Sequence, residues 1–150
     1  MPIATSSDKI VLSSEKKTEE FANKFLKKLK VGSIVFLYGE MGVGKTTFVR
    51  YLINGLQKIN GLRLTEITSP TFNLLNEYQI NQYKINHYDF FRLKSEEEIK
   101  NLGLFEDSAN SITLIEWPQL IQKKPTNLIE LLFEYEKDNE TRTIQIKGLN

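Results

Sequence analysis

The chain has 150 residues, 40% hydrophobic and 26% charged, with a net charge of +1. That length suits one domain with a substantial core, and the balanced charge gives no general pull on nucleic acid, although a local basic patch stays open. There is no cysteine and one histidine, which removes disulfides and thiolate chemistry, argues against a histidine-rich metal site and fits a reducing, cytoplasmic setting; no apolar run suits a signal peptide or a membrane span.

Taken in order, residues 1–9 read as a loose arm and Ile10 to Leu12 as a short strand. Ser13 or Ser14 is placed to cap a helix over about residues 14–30, with Phe21, Ala22, Phe25, Leu26 and Leu29 at helical spacing and the lysines and glutamates on a solvated face. Gly32 ends it. Ile34 to Tyr38 is an apolar, β-prone run that stops at Gly39. The next eight residues, G-E-M-G-V-G-K-T, fit G-x-x-x-x-G-K-[ST]. A helical pattern follows, with Phe48, Val49, Leu52, Ile53 and Leu56 on one face. Strand, glycine loop and helix are the context this motif requires; a plain glycine turn between core elements is the weaker reading.

The loop explains itself residue by residue. Gly39, Gly42 and Gly44 permit close backbone approach. The amides from Gly42 through Val43 and Gly44 to Thr47 can then point inward as a nest for phosphate oxygens, helped by the positive end of the helix. Lys45 supplies a mobile charge for the β- and γ-phosphates, and the Thr46 hydroxyl suits a magnesium ion bridging them. A nucleoside triphosphate site is the expectation on which the rest is built.

Residues 57–68 read as a connection. Thr68-Ser69-Pro70-Thr71-Phe72 is a proline turn with three hydroxyls, which could act as a switch loop or as ordinary turn chemistry. Phe72 to Tyr78 and Tyr83 to Asp89 read as a hairpin around Asn81-Gln82. Ser95-Glu96-Glu97-Glu98 is a capping-box signature for a short helix ending near Gly103. Ile112 to Ile115 is another apolar strand, followed by Glu116-Trp117-Pro118. Leu128 to Tyr135 and Thr141 to Lys147 form a last strand pair. The order predicts one α/β domain over residues 1–150, a three-layer fold resembling P-loop NTPases. Its mixed sheet has strands 34–38 and 112–115 parallel and near each other, antiparallel hairpins at the edges and helices on both faces.

Hydrolysis needs a carboxylate at the end of a neighbouring strand. Glu116 stands there, to orient magnesium or polarise water, unless it is an exposed strand-end residue. Asp89 is a second candidate for the metal or the water, or else caps the turn before Phe90. Trp117 is placed to cover a nucleotide, meet a partner or fill core. His87 shares the strand face of Asp89 and reads as a packed or hydrogen-bonded residue. Arg92 and Arg142 are candidates for phosphate or base.

These blocks together, G-E-M-G-V-G-K-T-T-F with Arg50, S-P-T-F with Leu74 and Tyr78, H-Y-D-F-F-R-L and L-I-E-W-P, resemble the TsaE family of bacteria, formerly YjeE, in order from about Leu12 to Gly148. Phe91 stands where that family often has tyrosine. The resemblance implies a small, weak, partner-stimulated P-loop ATPase required for threonylcarbamoyladenosine at position 37 of tRNA. It implies ATP or ADP with Mg2+ as ligands, and TsaD and TsaB as partners whose complex it regulates or resets, with tRNA associated indirectly or weakly. By position it implies a loop of Gly39, Glu40, Met41, Gly42, Val43, Gly44, Lys45, Thr46 and Thr47. It puts metal at Thr46, Glu116 and Asp89, catalysis at Glu116, Lys45 and Asp89, and Trp117 near the nucleotide. The segment from Glu15 to Thr18, and Arg142, fall on the adenine side. From the residues alone, a P-loop small-molecule kinase and a non-catalytic nucleotide-gated interaction module remain open. A GTPase is disfavoured, since Asn81-Gln82-Tyr83-Lys84 does not fit the guanine-reading pattern N-K-x-D.

Overall fold

A computed structural model describes residues 9–106 and 108–148; of the expected N-terminal arm, residues 1–8 lie outside the described residues and Lys9 already belongs to the first strand. The elements are β1 (Lys9–Leu12), α1 (Glu15–Phe25), β2 (Ile34–Tyr38), α2 (Lys45–Ile59), β3 (Leu75–Ile80), β4 (Tyr83–Asp89), α3 (Glu96–Lys100), β5 (Ser111–Glu116), β6 (Leu128–Tyr135) and β7 (Arg142–Lys147). The strands make one sheet in the order β1-β7-β6-β2-β5-β4-β3. β4, β5, β2 and β6 run parallel to one another, while β3 pairs antiparallel with β4 at one edge and β7 with β6, then β1 with β7, at the other. The expected parallel neighbours, 34–38 and 112–115, pair directly, Ile34 against Thr113.

The strand period of two explains the layers. On β2, Val35 and Leu37 join a core with Phe21, Phe25, Phe48 and Leu52 beneath α1 and α2. Ile34 and Phe36 face the other way, into a smaller core with Ile99, Leu104 and Ile121, covered by α3 and short 3-10 turns. The first turn of α2 is pinned by aromatic packing. The Phe48 ring lies 5.5 Å from Phe21, 5.6 Å from Phe25 and 5.7 Å from Phe133. Each buried ring contributes about 1.5–3 kcal/mol, and each such pair about 0.5–1.5 kcal/mol more. Gly55 lets α1 and α2 close up, because a Cβ there would stand 2.8 Å from Leu26 Cδ2.

Both expected caps form: Ser14 Oγ accepts from the Lys17 amide and Ser95 Oγ from the Glu98 amide. Of the boundaries that differ from the sequence expectation, three have a plain local cause. α1 stops at Phe25 and gives way to a 3-10 turn, Leu26–Lys28, because Leu29 is already extended on the way into β2. α2 runs on through Gln57 to Ile59, since Gln57 is buried and its amide group bonds both the side chain and the backbone of Thr65. β3 begins at Leu75 rather than Phe72, because Leu74 takes a left-handed φ of 69° and its N–H donates to Pro70 O, closing a turn.

Candidate nucleotide site

The glycine loop joins β2 to α2, and its shape follows from where glycine sits. Gly39 has φ +147°, and an added Cβ would lie 2.7 Å from Val43 Cγ1 and 2.8 Å from the Phe133 carbonyl oxygen. No side chain fits there. Gly42 and Gly44 also have positive φ, where L side chains are strained. The Val43 N–H donates to Glu40 O within the loop, and the Tyr135 hydroxyl donates to Gly42 O at 2.9 Å, bracing the loop from β6. Gly44 precedes α2, no side chain caps the helix, and its first turn holds no acid. The amides of Lys45, Thr46 and Thr47 therefore have no intrahelical acceptor, and the positive end of the helix dipole faces the loop.

Two strands bring acids to the same place. β4 and β5 are parallel with Asp89 opposite Glu116, so both carboxylates stand at the carboxyl end of the sheet. Alternation decides the face. Ile85, Ile112 and Leu114 belong to the core under α2; His87, Asp89 and Glu116, two residues further along their strands, point the same way.

Glu116 is only 2% exposed, which excludes the exposed strand-end alternative. Its carboxylate lies 2.6 Å from His87 Nε2 and accepts from the Thr46 hydroxyl at 3.2 Å to each oxygen. Asp89 Oδ2 accepts from Thr71 Oγ1 at 3.0 Å and Ser69 Oγ at 3.4 Å, while Oδ1 accepts from the Phe91 amide at 2.9 Å. The turn-capping role of Asp89 and its proximity to the glycine loop thus coexist.

Lys45 is 4% exposed; its ammonium donates to Gly39 O and sits 3.8 Å from the centre of the Trp117 ring. Burial pulls its pKa below the ordinary lysine value, against the opposing attraction of Glu116 and Asp89. Trp117 adopts a left-handed φ of 57° and packs against Phe91, with ring centres 4.9 Å apart.

The loop and the acids enclose a cavity of about 240 Å³. Met41, Gly42, Gly44, Lys45, Thr46 and Thr47 form one wall; Ser69, Thr71, Asp89, Glu116, Trp117 and Arg142 form the other. Glu40 is exposed at the loop tip, and Val43 is fully buried beneath it. Glu15 lies outside the cavity, bonded to Tyr51 and Arg50, although the Arg142 charge reaches it. Thr18 is buried in α1 and also outside the lining. Arg92 stacks over exposed Phe72 instead. A larger cavity of about 470 Å³ lies by α3, walled mainly by Ile99, Leu104, Phe105 and Ile121, away from this chemistry.

The cradle fits a polyphosphate, and the hard oxygens of Thr46, Glu116 and Asp89 suit magnesium. Among the described residues no group of three or more acidic, histidine or cysteine side chains forms a metal cage; magnesium ordinarily takes only one or two carboxylates and completes its shell with water and phosphate. Two contacts escaped the sequence reading. The His87–Glu116 bond had a faint signal in the spacing of His87 and Asp89. Tyr135, 93 positions from Gly42, had none.

Fold and loop together define a P-loop NTPase-like, nucleotide-binding protein. A solved structure of Bacillus subtilis YdiB shares this fold with a TM-score of 0.73 and 23% identity, over 95% of this chain and 86% of that one. The family profile for threonylcarbamoyl adenosine biosynthesis protein TsaE matches residues 12–144. The chain is 47% identical over 122 residues to the tRNA threonylcarbamoyladenosine biosynthesis protein TsaE of Rickettsia bellii, covering 81% of this chain and 82% of that one. It is 43% identical over 140 residues to the Rickettsia typhi protein of that name (93% and 94% of the chains) and 35% identical over 147 residues to that of a Nostoc species (95% and 86%). The chain belongs to the TsaE family.

Proposed function

We propose that this protein is a Mg2+-dependent ATPase that serves tRNA threonylcarbamoyladenosine biosynthesis in the cytoplasm by regulating or resetting a TsaD–TsaB complex. The observation that carries the reading is the meeting, in one cavity, of the α2 amides, Lys45 and Thr46 with two strand-end acids. The loop amides and Lys45 hold the β- and γ-phosphates. Thr46 and Glu116 hold magnesium, with Asp89 in support; bound magnesium neutralises phosphate charge. Glu116 orients the attacking water. In hydrolysis the water oxygen bonds the γ-phosphorus, the bond from that phosphorus to the bridging oxygen breaks, ADP leaves with the electron pair, and the water proton ends on inorganic phosphate. Asp89 links the site to the 68–74 loop through Ser69 and Thr71, which gives that loop a means of sensing the γ-phosphate. Trp117 and Arg142 line the nucleotide, and the Glu15 to Thr18 segment bears on the adenine side through Arg142.

The test is calorimetric titration with MgATP together with a phosphate-release assay. Wild-type protein should bind and turn over slowly, Glu116→Ala should bind without turnover, and added TsaD and TsaB should raise the rate. Flat heats on folded protein would overturn the reading; normal turnover in Glu116→Ala would remove the assigned role of that residue.

A further inference from the structure

His87 is the most deeply placed polar group near the acids and has no part in the chemistry above. Its side chain is 0% exposed, and it is not among the residues lining the cavity. On β4 it stands opposite Leu114, one step back along the same strand face from the Asp89–Glu116 pair, so its ring reaches along the sheet to Glu116. The 2.6 Å contact from Nε2 to Glu116 Oε2 is shorter than either 3.2 Å contact from Thr46. With Glu116 ionised, Nε2 carries the hydrogen and donates. The other nitrogen, Nδ1, is buried with no hydrogen-bond partner among the described residues. A ring kept for packing alone would be better served by an apolar side chain, since an unsatisfied buried polar atom is unfavourable. Thr46, the other group on Glu116, has a competing task at the metal. Among the described residues that hydrogen-bond the Glu116 side chain, this leaves His87 to fix the carboxylate while nucleotide is bound.

Building on the ATPase reading, we propose that His87 is a positioning residue for hydrolysis. Its Nε2–H holds Oε2 of Glu116, so that the carboxylate presents one orientation to the reacting side while His87 touches no nucleotide. Removing such a second partner behind a ligating group ordinarily costs about 10–100-fold.

Two variants test it. His87→Leu keeps much of the volume and removes the donor; His87→Gln places an amide nitrogen near the position of Nε2. The Leu variant should lose about 10–100-fold in kcat with KM and MgATP affinity within about threefold, and should melt no lower than wild type; the Gln variant should recover most of the loss. The nucleotide-free wild type should show a hydrogen-bonded ring Nε2–H in 1H–15N spectra, shifted in Glu116→Gln. Wild-type kcat in the Leu variant, or a Gln variant as slow as Leu with both folded, overturns the proposal. If both variants unfold, the spectrum decides: a ring signal indifferent to Glu116→Gln overturns it, and a shifted one supports it. Wild-type protein that fails to turn over ATP overturns the ATPase reading and this proposal with it, whereas active wild type beside an unimpaired Leu variant overturns this proposal alone.

Discussion

Truncating Phe48 to alanine couples the core to the site in a measurable way. The side chain is fully buried and contacts three other rings, those of Phe21, Phe25 and Phe133. These belong to α1 and β6, which are held by their own packing and pairing and cannot collapse into the gap. The loss should therefore fall well inside the 3–5 kcal/mol typical of buried Phe→Ala, about 4 kcal/mol. Against a total stability of about 5–15 kcal/mol, most of the protein still folds at low temperature. With a urea slope of about 2 kcal/mol per molar, the midpoint followed by far-UV circular dichroism should drop by about 2 M. Phe48 points away from the phosphate cradle, so MgATP should still bind the folded variant, and ligand at about 100 times its dissociation constant should return about 2.7 kcal/mol. A loss under about 1 kcal/mol would refute the packing described for α2. A full loss with no recovery on nucleotide would refute the separation of core from cradle.

Lys45→Met should abolish nucleotide binding while leaving the unliganded protein as stable as wild type or more so. Burial depresses the folded-state pKa of Lys45, so its charged form is disfavoured on folding below that value, and this handicap fades as pH rises through the folded and then the unfolded pKa. A clear fall in melting temperature at neutral pH would contradict this. Gly39→Ala forces a Cβ against the Phe133 carbonyl at a positive φ, which should cost about 1–3 kcal/mol and weaken MgATP binding by at least roughly tenfold, read by thermal melts and calorimetry. Glu15 has its pKa lowered, chiefly by the Tyr51 hydroxyl and then by Arg50. Its contribution is present above the ordinary carboxylate pKa and lost as pH falls through the folded value. Glu15→Gln should accordingly flatten the acid limb of the stability profile below about pH 4.5 and do so less at high salt.

The sheet and the loop were legible because their signals are local. Ile34 to Tyr38 is an unbroken apolar, β-prone run, and the spacing of Gly39, Gly44, Lys45 and Thr46 marks the glycine loop between it and α2. Asp89 and Glu116 could be named from their strand ends. What could not be read was partnership across distance: that Glu116 turns to His87, that Tyr135 braces Gly42, that Gln57 extends α2 by tying down Thr65. These depend on strand register and side-chain direction, which only the folded sheet fixes. Glu15 and Thr18 entered by likeness alone; in the fold Glu15 is engaged with Arg50 and Tyr51, and Thr18 is buried in α1.

The strand that carries the loop, β2, has both of its sheet neighbours, β5 and β6, drawn from the later part of the chain. A polypeptide emerging from the ribosome thus displays its glycine-rich segment long before anything exists to brace it. The acid from Glu116 and the brace from Tyr135 follow the motif by some seventy residues or more, and such non-local closure makes folding slow. Chains halted before residue 128 should therefore carry the whole motif, and Glu116 as well, and still not retain nucleotide, because β6 and the Tyr135 brace are missing.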